Sequence, residues 1–345
     1  MRRYNINVVK ALIMVILIFL MVVALLISGI QALFGNHDKD KDKKDRRGAD
    51  ATVSASPSPT PLPTHSPRPS PVVDEPEESA APVINPVTTP SPMPEAQEVI
   101  AAICLEAPEE HSEEETMARL QILATYDSRF QEVIDRLPGL PELTGFELSI
   151  NPELLDFVLG WPGESRDAAF TPSEASGETQ LLMQYDPRWG YEPYGSGPVA
   201  FNGCGPTCLS MAVLHFTGNP NATPDKTAKW ALDNDYYVTG SGTKWTMFSE
   251  GIREWGVGSK ELPLWKGSIL SALDKGNWVV MCMKKGDFTI YGHFIIVCGY
   301  SDDGFQVLDP FSRARSGILW KYEDIEDQIS NLWAVGITED LMNAE

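Results

Sequence analysis

Cys204 stands between two glycines in Phe201-Asn202-Gly203-Cys204-Gly205-Pro206-Thr207-Cys208, and an apolar stripe follows at helical spacing (Leu209, Ala212, Val213, Phe216). Pro206 sits where a first-turn proline fits, because the amide it lacks would have no partner inside the helix. The pattern therefore places Cys204 at a helix N-terminus. Unpaired amides and the helix dipole there favour a thiolate and can receive an oxyanion. Gly203 and Gly205 are read as allowing a sharp backbone turn beside the sulfur. A buried structural cysteine before an ordinary helix is the competing reading of this segment taken alone.

A nucleophilic thiol needs a base. Of five histidines, His37, His65 and His111 lie in the tail, stalk or acidic N-terminal part, and His215 falls eleven residues along the Cys204 helix, too far to reach back. His293 remains, at the head of Gly292-His293-Phe294-Ile295-Ile296-Val297-Cys298, a strongly apolar strand. Ser301-Asp302-Asp303-Gly304 is a turn signal, and Phe305-Gln306-Val307-Leu308 returns to Asp309-Pro310. Such a hairpin brings His293 and Asp309 to the same end of adjacent strands. The carboxylate is then placed to fix the imidazole tautomer and stabilise the imidazolium. Gln184, in Met183-Gln184-Tyr185-Asp186-Pro187-Arg188-Trp189, carries an amide able to complete an oxyanion hole with the Cys204 N–H.

The elements that must position these groups follow from periodicity. Helices are expected at about 205–217, 224–233, 244–255 and 267–275. Strands are expected at Trp278–Met283, His293–Tyr300, Phe305–Leu308 and Leu332–Ile337. A helix first and an antiparallel sheet afterwards is an α+β order, with two lobes meeting at a cleft. Ahead of it, apolar stripes around 99–104, 117–123, 130–137 and 154–159 predict a helical pre-domain over 94–162 packed on the larger domain, structural in its main reading and substrate-positioning or inhibitory in the alternative; residues 163–178 are small and polar and are read as a linker.

The N-terminal third is of another kind. Arg2, Arg3 and Lys10 precede a run from Ala11 to Phe34 without a charged residue. At ~1.5 Å per residue this run spans roughly 36 Å of helix, enough to cross a bilayer, and it is longer than the apolar part of a cleaved signal peptide. An uncleaved signal anchor over 11–34 is the expectation, with a short tail at 1–10. Residues 35–93 then form a charged and Pro/Ser/Thr-rich linker that cannot bury a core; extended, its proline-rich part reaches roughly 140 Å. Basic residues after the span outnumber those before it, which by count alone favours a cytoplasmic C-terminal part. That basic run is interleaved with aspartates and the stalk resembles an extracellular spacer, so the domain is expected outside the membrane.

The net charge is −21, and residues 74–174 hold 22 acidic against 4 basic side chains. No basic footprint for nucleic acid exists. Five cysteines in irregular positions do not make a disulfide framework, and the Cys204/Cys208 spacing lacks the second pair a zinc site requires.

In this order, Gln184-Tyr-Asp-Pro-Arg-Trp, Gly203-Cys-Gly-Pro-Thr, Gly292-His-Phe and Asp309-Pro resemble the bacteriocin-processing cysteine peptidases of family thirty-nine and their stand-alone relatives in Gram-positive bacteria. Asn151-Pro-Glu-Leu-Leu-Asp-Phe-Val-Leu resembles what precedes the domain in those secreted relatives. The resemblance covers about 180–312. It implies a papain-like fold over 179–345, with Cys204 as nucleophile, His293 as base, Asp309 as orienter and Gln184 at the oxyanion hole. Leader-processing members continue into a transporter membrane domain and a nucleotide-binding segment, and no such segment follows here. The expectation is a membrane-anchored, extracytoplasmic thiol hydrolase of peptide or amide bonds, needing no cofactor or metal, with peptide or protein substrates that include cell-wall peptide. A cell-wall amidase or acyl transferase using the same residues, and a non-catalytic peptide-binding module, are the alternatives.

Overall fold

The structure, a computed structural model, describes residues 94–165 and 168–343. The expected tail (1–10), signal anchor (11–34) and linker (35–93) lie outside the described residues. Among the described residues no helix is long and apolar enough to cross a membrane.

The pre-domain comprises α1 (Pro94–Leu105), α2 (Glu113–Tyr126), α3 (Arg129–Arg136), α4 (Thr144–Ile150) and α5 (Leu155–Leu159). A capping box of Ser112 and Glu115 starts α2. Asn151 ends α4, and its side chain then accepts from the Glu153 amide to open a 3₁₀ turn, Pro152–Leu154, that leads into α5. Periodicity had not indicated α4. It is one short stretch between Pro141 and Asn151-Pro152, too brief to show a repeat. The longest of these helices has 14 residues, a length that is marginal in isolation. Their apolar sides merge around Leu120, Leu123, Phe130, Val133, Leu148 and Phe157, and Met183, Tyr185, Ala200 and Phe311 complete that core. The pre-domain is thus finished by residues of the segment that follows.

The stretch expected as a linker, 163–178, contains a helical turn at Pro172–Ser176, closed by a Thr171/Glu174 capping box. Arg188 fixes it by pairing with Glu174 at 2.8 Å and Asp186 at 2.7 Å.

Beyond it lie α6 (Cys204–Thr217), α7 (Pro224–Asp233) and α8 (Lys266–Asp274), with a six-stranded sheet. The strands are β1 (Gly258–Glu261), β2 (Trp278–Lys284), β3 (Gly292–Ser301), β4 (Gly304–Leu308), β5 (Leu319–Trp320) and β6 (Ile329–Gly336). Their spatial order is β1-β6-β2-β3-β4-β5, and every neighbouring pair is antiparallel. Val280, Phe294, Ile296, Trp333 and Val335 pack with the α6 residues Leu209 and Ala212. Val279, Met281, Ile295 and Val297 pack with Ile269 and Ala272 of α8. Both faces of the central strands are therefore covered, which is why β2 and β3 read as unbroken apolar runs rather than alternating ones.

The mixed helix and antiparallel sheet agrees with the α+β expectation. Two details differ. The helix expected over 244–255 is a turn at Thr246–Ser249 followed by a 3₁₀ segment, Gly251–Trp255. The backbone leaves helical geometry at Glu250, and at the next residue a Cβ on Gly251 would lie 2.7 Å from the Tyr236 ring and 2.8 Å from Trp230, so close packing selects glycine there. The edge strands β1 and β5 were not anticipated. They are short, and β1 carries Lys260 and Glu261, as protected edges do.

Candidate active site

His293 lies at the start of β3, opposite Met283 of β2. The β3–β4 hairpin turns through Asp302 and Asp303 into Gly304, whose φ is +148° and whose Cβ would lie 2.7 Å from the Trp320 carbonyl oxygen. Pairing of Ile296 with Leu308 then returns the chain so that Asp309 follows beside His293. His293 Nε2 and Asp309 Oδ1 are 2.7 Å apart, with the side chains 7% and 0% exposed. Asp309 Oδ1 also accepts from the Phe311 amide at 2.8 Å, and Oδ2 lies 3.4 Å from Arg315 Nη1. Burial by itself would raise the Asp309 pKa; the charge and hydrogen bond of His293, with Arg315 and the Phe311 amide, hold it below the usual carboxylate range.

Burial would likewise lower the His293 pKa. The charge and hydrogen bond of Asp309, with the Cys204 thiol as a lesser neighbour, outweigh it and push the imidazole up to about 9. With Nε2 engaged by Asp309, Nδ1 is the nitrogen left for the sulfur. Cys204 opens α6, is half-buried, and has no side-chain cap before it that would occupy the first-turn amides. Each of the other cysteines is displaced from reactivity by burial. The thiol is pushed up to about 12 at Cys104 and to about 11 at Cys282 and Cys298, and well above the ordinary value at Cys208. Cys208 instead packs against the sheet, its Sγ 3.3 Å from the Phe294 carbonyl. His215 stacks on Trp278 with ring centroids 4.0 Å apart, away from the sulfur.

The glycines flanking Cys204 have a different use from the one their type suggests. Gly203 has φ −89° and Gly205 is helical, so neither needs a conformation reserved for glycine. A Cβ at Gly203 would stand 2.6 Å from the Val199 carbonyl oxygen, and one at Gly205 would stand 2.5 Å from Thr243 Oγ1. They are glycine because the first turn of α6 is packed directly onto neighbouring chain.

Gln184 is buried and ties both sides of the site together. Its backbone N–H donates to the Pro310 carbonyl at 2.8 Å, and its Nε2 donates to the Ala200 carbonyl at 2.8 Å. One N–H of the amide remains, and Oε1 has no protein donor. Gln184, Cys204 and His293 line one pocket, together with Phe201, Tyr291, Phe311 and pre-domain residues. All four sequence-derived site residues therefore converge.

The pre-domain residues around them were not foreseen. Asn151 Nδ2 donates to the Phe311 carbonyl. Glu153 accepts from the amides of Arg313 and Ala314 at 2.7 and 3.0 Å and from the Tyr185 hydroxyl at 2.6 Å. Arg315, 1% exposed, reaches the Cys104 carbonyl at 2.9 Å. The loop that carries Asp309 is thus fastened by pre-domain residues more than 150 positions earlier. Asn151-Pro-Glu was legible as a helix start; its second use as a clamp required the loop to be in view. Glu147 of α4 lines the same pocket as Cys204, and no periodic signal marked its helix.

Residues 179–335 match the family model described as Peptidase_C39 like family. No curated protein and no solved structure matches the chain at a significant level. The family match supports a cysteine peptidase for this segment, and with it peptide or protein substrates.

Proposed function

We propose that the chain is a thiol hydrolase that cleaves peptide or amide bonds through an acyl-enzyme, with Cys204 as nucleophile, His293 as base and acid, Asp309 as orienter and Gln184 at the oxyanion hole. The observation that carries this reading is the 2.7 Å contact of His293 with Asp309 at a pocket that Cys204 and Gln184 also line. His293 takes the proton of the thiol and frees the sulfur as nucleophile. The sulfur attacks the carbonyl carbon, and the carbonyl electron pair moves to oxygen, which the Cys204 amide and the free Gln184 N–H receive. Collapse expels the amine, which takes the proton from His293. Water then attacks the thioester, His293 removes its proton, and the acid and the thiolate are released. Asp309 keeps the ring oriented through both half-reactions.

In this reading the run at 11–34 anchors the chain in the cell membrane and the proline-rich linker holds the enzyme outside it. The uncharged length of that run supports the anchor.

The test uses the full chain and Cys204→Ala. An iodoacetamide probe at neutral pH should label the parent once and the variant not at all, and a peptide library should be cut only by the parent. Equal labelling of both removes Cys204 from the role. Release of new amines or carboxylates from peptidoglycan fragments, with no cleavage of linear peptides, would redirect the reading to a cell-wall amidase. Proteinase added to intact cells should remove the domain if it lies outside.

A further inference from the structure

The catalytic pocket receives one wall from the pre-domain, and that wall carries a charge. Phe146, Glu147 and Ile150 of α4 line the same pocket as Cys204, His293 and Gln184. Among the described residues the Glu147 carboxylate makes no hydrogen bond and no ion pair; its one electrostatic neighbour of note is His293. The other charges at this place are already matched. Arg315, which also lines the pocket, donates to the carbonyls of Cys104 and Phe288 and stands beside Asp309 Oδ2. His293 is held by Asp309. Asp309 faces both Arg315 and His293, so Glu147 is the acidic side chain of the pocket without an ion-pair partner of its own.

A carboxylate partly withdrawn from water without a counter-charge is destabilised, and a cation entering beside it offsets that cost. Burial accordingly pushes the Glu147 carboxyl up to about 7. The surroundings favour the same kind of visitor. A neighbouring cavity shares Phe146 and the 72%-exposed Tyr291 with this pocket, and Glu110, Glu113 and Glu142 line it over an apolar floor. The chain as a whole carries −21, which draws cationic peptides toward it.

We infer that Glu147, supplied by the pre-domain, is a specificity-determining residue that selects substrates bearing a lysine or arginine side chain next to the bond Cys204 attacks. The inference rests on the reading of Cys204 as nucleophile. It makes the pre-domain part of the substrate site, and the enzyme a peptidase of cationic peptides.

The test is a peptide-library digestion by the full chain, read by mass spectrometry, followed by kcat/KM on a matched pair of peptides that differ by lysine against norleucine at the preferred position. The parent should cut within one or two residues of lysine or arginine. Loss of one charge-assisted contact should reduce the lysine-over-norleucine ratio of kcat/KM roughly 10- to 100-fold in Glu147→Gln. Glu147→Lys should turn the preference toward acidic side chains. Labelling of Cys204 by iodoacetamide in each variant reports a folded site. A parent that cleaves without basic preference, a ratio unchanged in Glu147→Gln, or an equal gain on every peptide would overturn the inference and leave the hydrolase reading standing. No cleavage by the parent, together with no Cys204-dependent labelling, would overturn both.

Discussion

Replacement of Asp309 by asparagine isolates what the carboxylate does for the imidazole. The isostere retains an acceptor for the Phe311 amide and removes the charge that faces His293. In the parent the imidazole is lifted from 6.5 to about 9 although burial alone would lower it. At ~1.36 kcal/mol per pH unit the lift is worth about 3 kcal/mol in favour of the imidazolium. Without the charge the largest influence that raises the imidazole is gone, and the titration of His293 should fall well below that of the parent. The sign for folding follows. A histidine raised in the folded state contributes stability that is complete below pH 6.5 and is lost as pH climbs through about 9. The parent should therefore lose about 3 kcal/mol of unfolding free energy across that window through this group. Asp309→Asn should lack that decline, and should start from a lower stability because Arg315 is left buried beside a neutral group. The assay is the ring proton resonance of His293 followed from pH 5 to 10, assigned by its absence in His293→Asn, with urea unfolding at several pH values. A parent midpoint near 6.5, or a variant midpoint within about half a pH unit of the parent's, would refute the assignment of Asp309 as the group that stabilises the imidazolium.

Further outcomes are expected. Gln184→Ala should lower kcat about 100-fold with a smaller change in KM, since an oxyanion donor acts mainly in the transition state; a change confined to KM would remove Gln184 from that place. Gly205→Ala should cost about 1–3 kcal/mol in urea unfolding, because its Cβ meets Thr243 at 2.5 Å and the 2.9 Å contact of Thr243 with Tyr194 must give way. Asn151→Ala should cost about 2–4 kcal/mol by removing the links from its buried amide to the Phe311 carbonyl, the Glu153 amide and the Cys104 thiol. It should also lower kcat by loosening the loop that holds Asp309. Iodoacetamide in limited amount at pH 7 should modify Cys204 ahead of Cys104, Cys208, Cys282 and Cys298, whose thiols burial keeps protonated; peptide mapping decides.

The order of chemistry-bearing segments was legible in the chain because each lies where local rules are strong. Gly-Cys-Gly-Pro ahead of an apolar stripe marks a helix start whatever surrounds it, and α6 begins at Cys204. Apolar runs separated by Ser-Asp-Asp-Gly mark a hairpin, and the β3–β4 register returns Asp309 to His293. Those signals depend on backbone geometry within a few residues, which sequence spacing specifies directly. Sequence spacing also set apart an N-terminal run without charge. Tertiary structure decided what spacing cannot encode. It explained Gly203 and Gly205 by the closeness of Val199 and Thr243 rather than by turn conformation. It interrupted the expected helix at Glu250 and packed the Trp230 and Tyr236 rings where a side chain at Gly251 would stand. It also brought Glu147 of α4 to the pocket that Cys204 lines, across more than fifty residues of chain. Contacts of that kind depend on how separate elements fill one another's volume, and no short window of residues contains both partners.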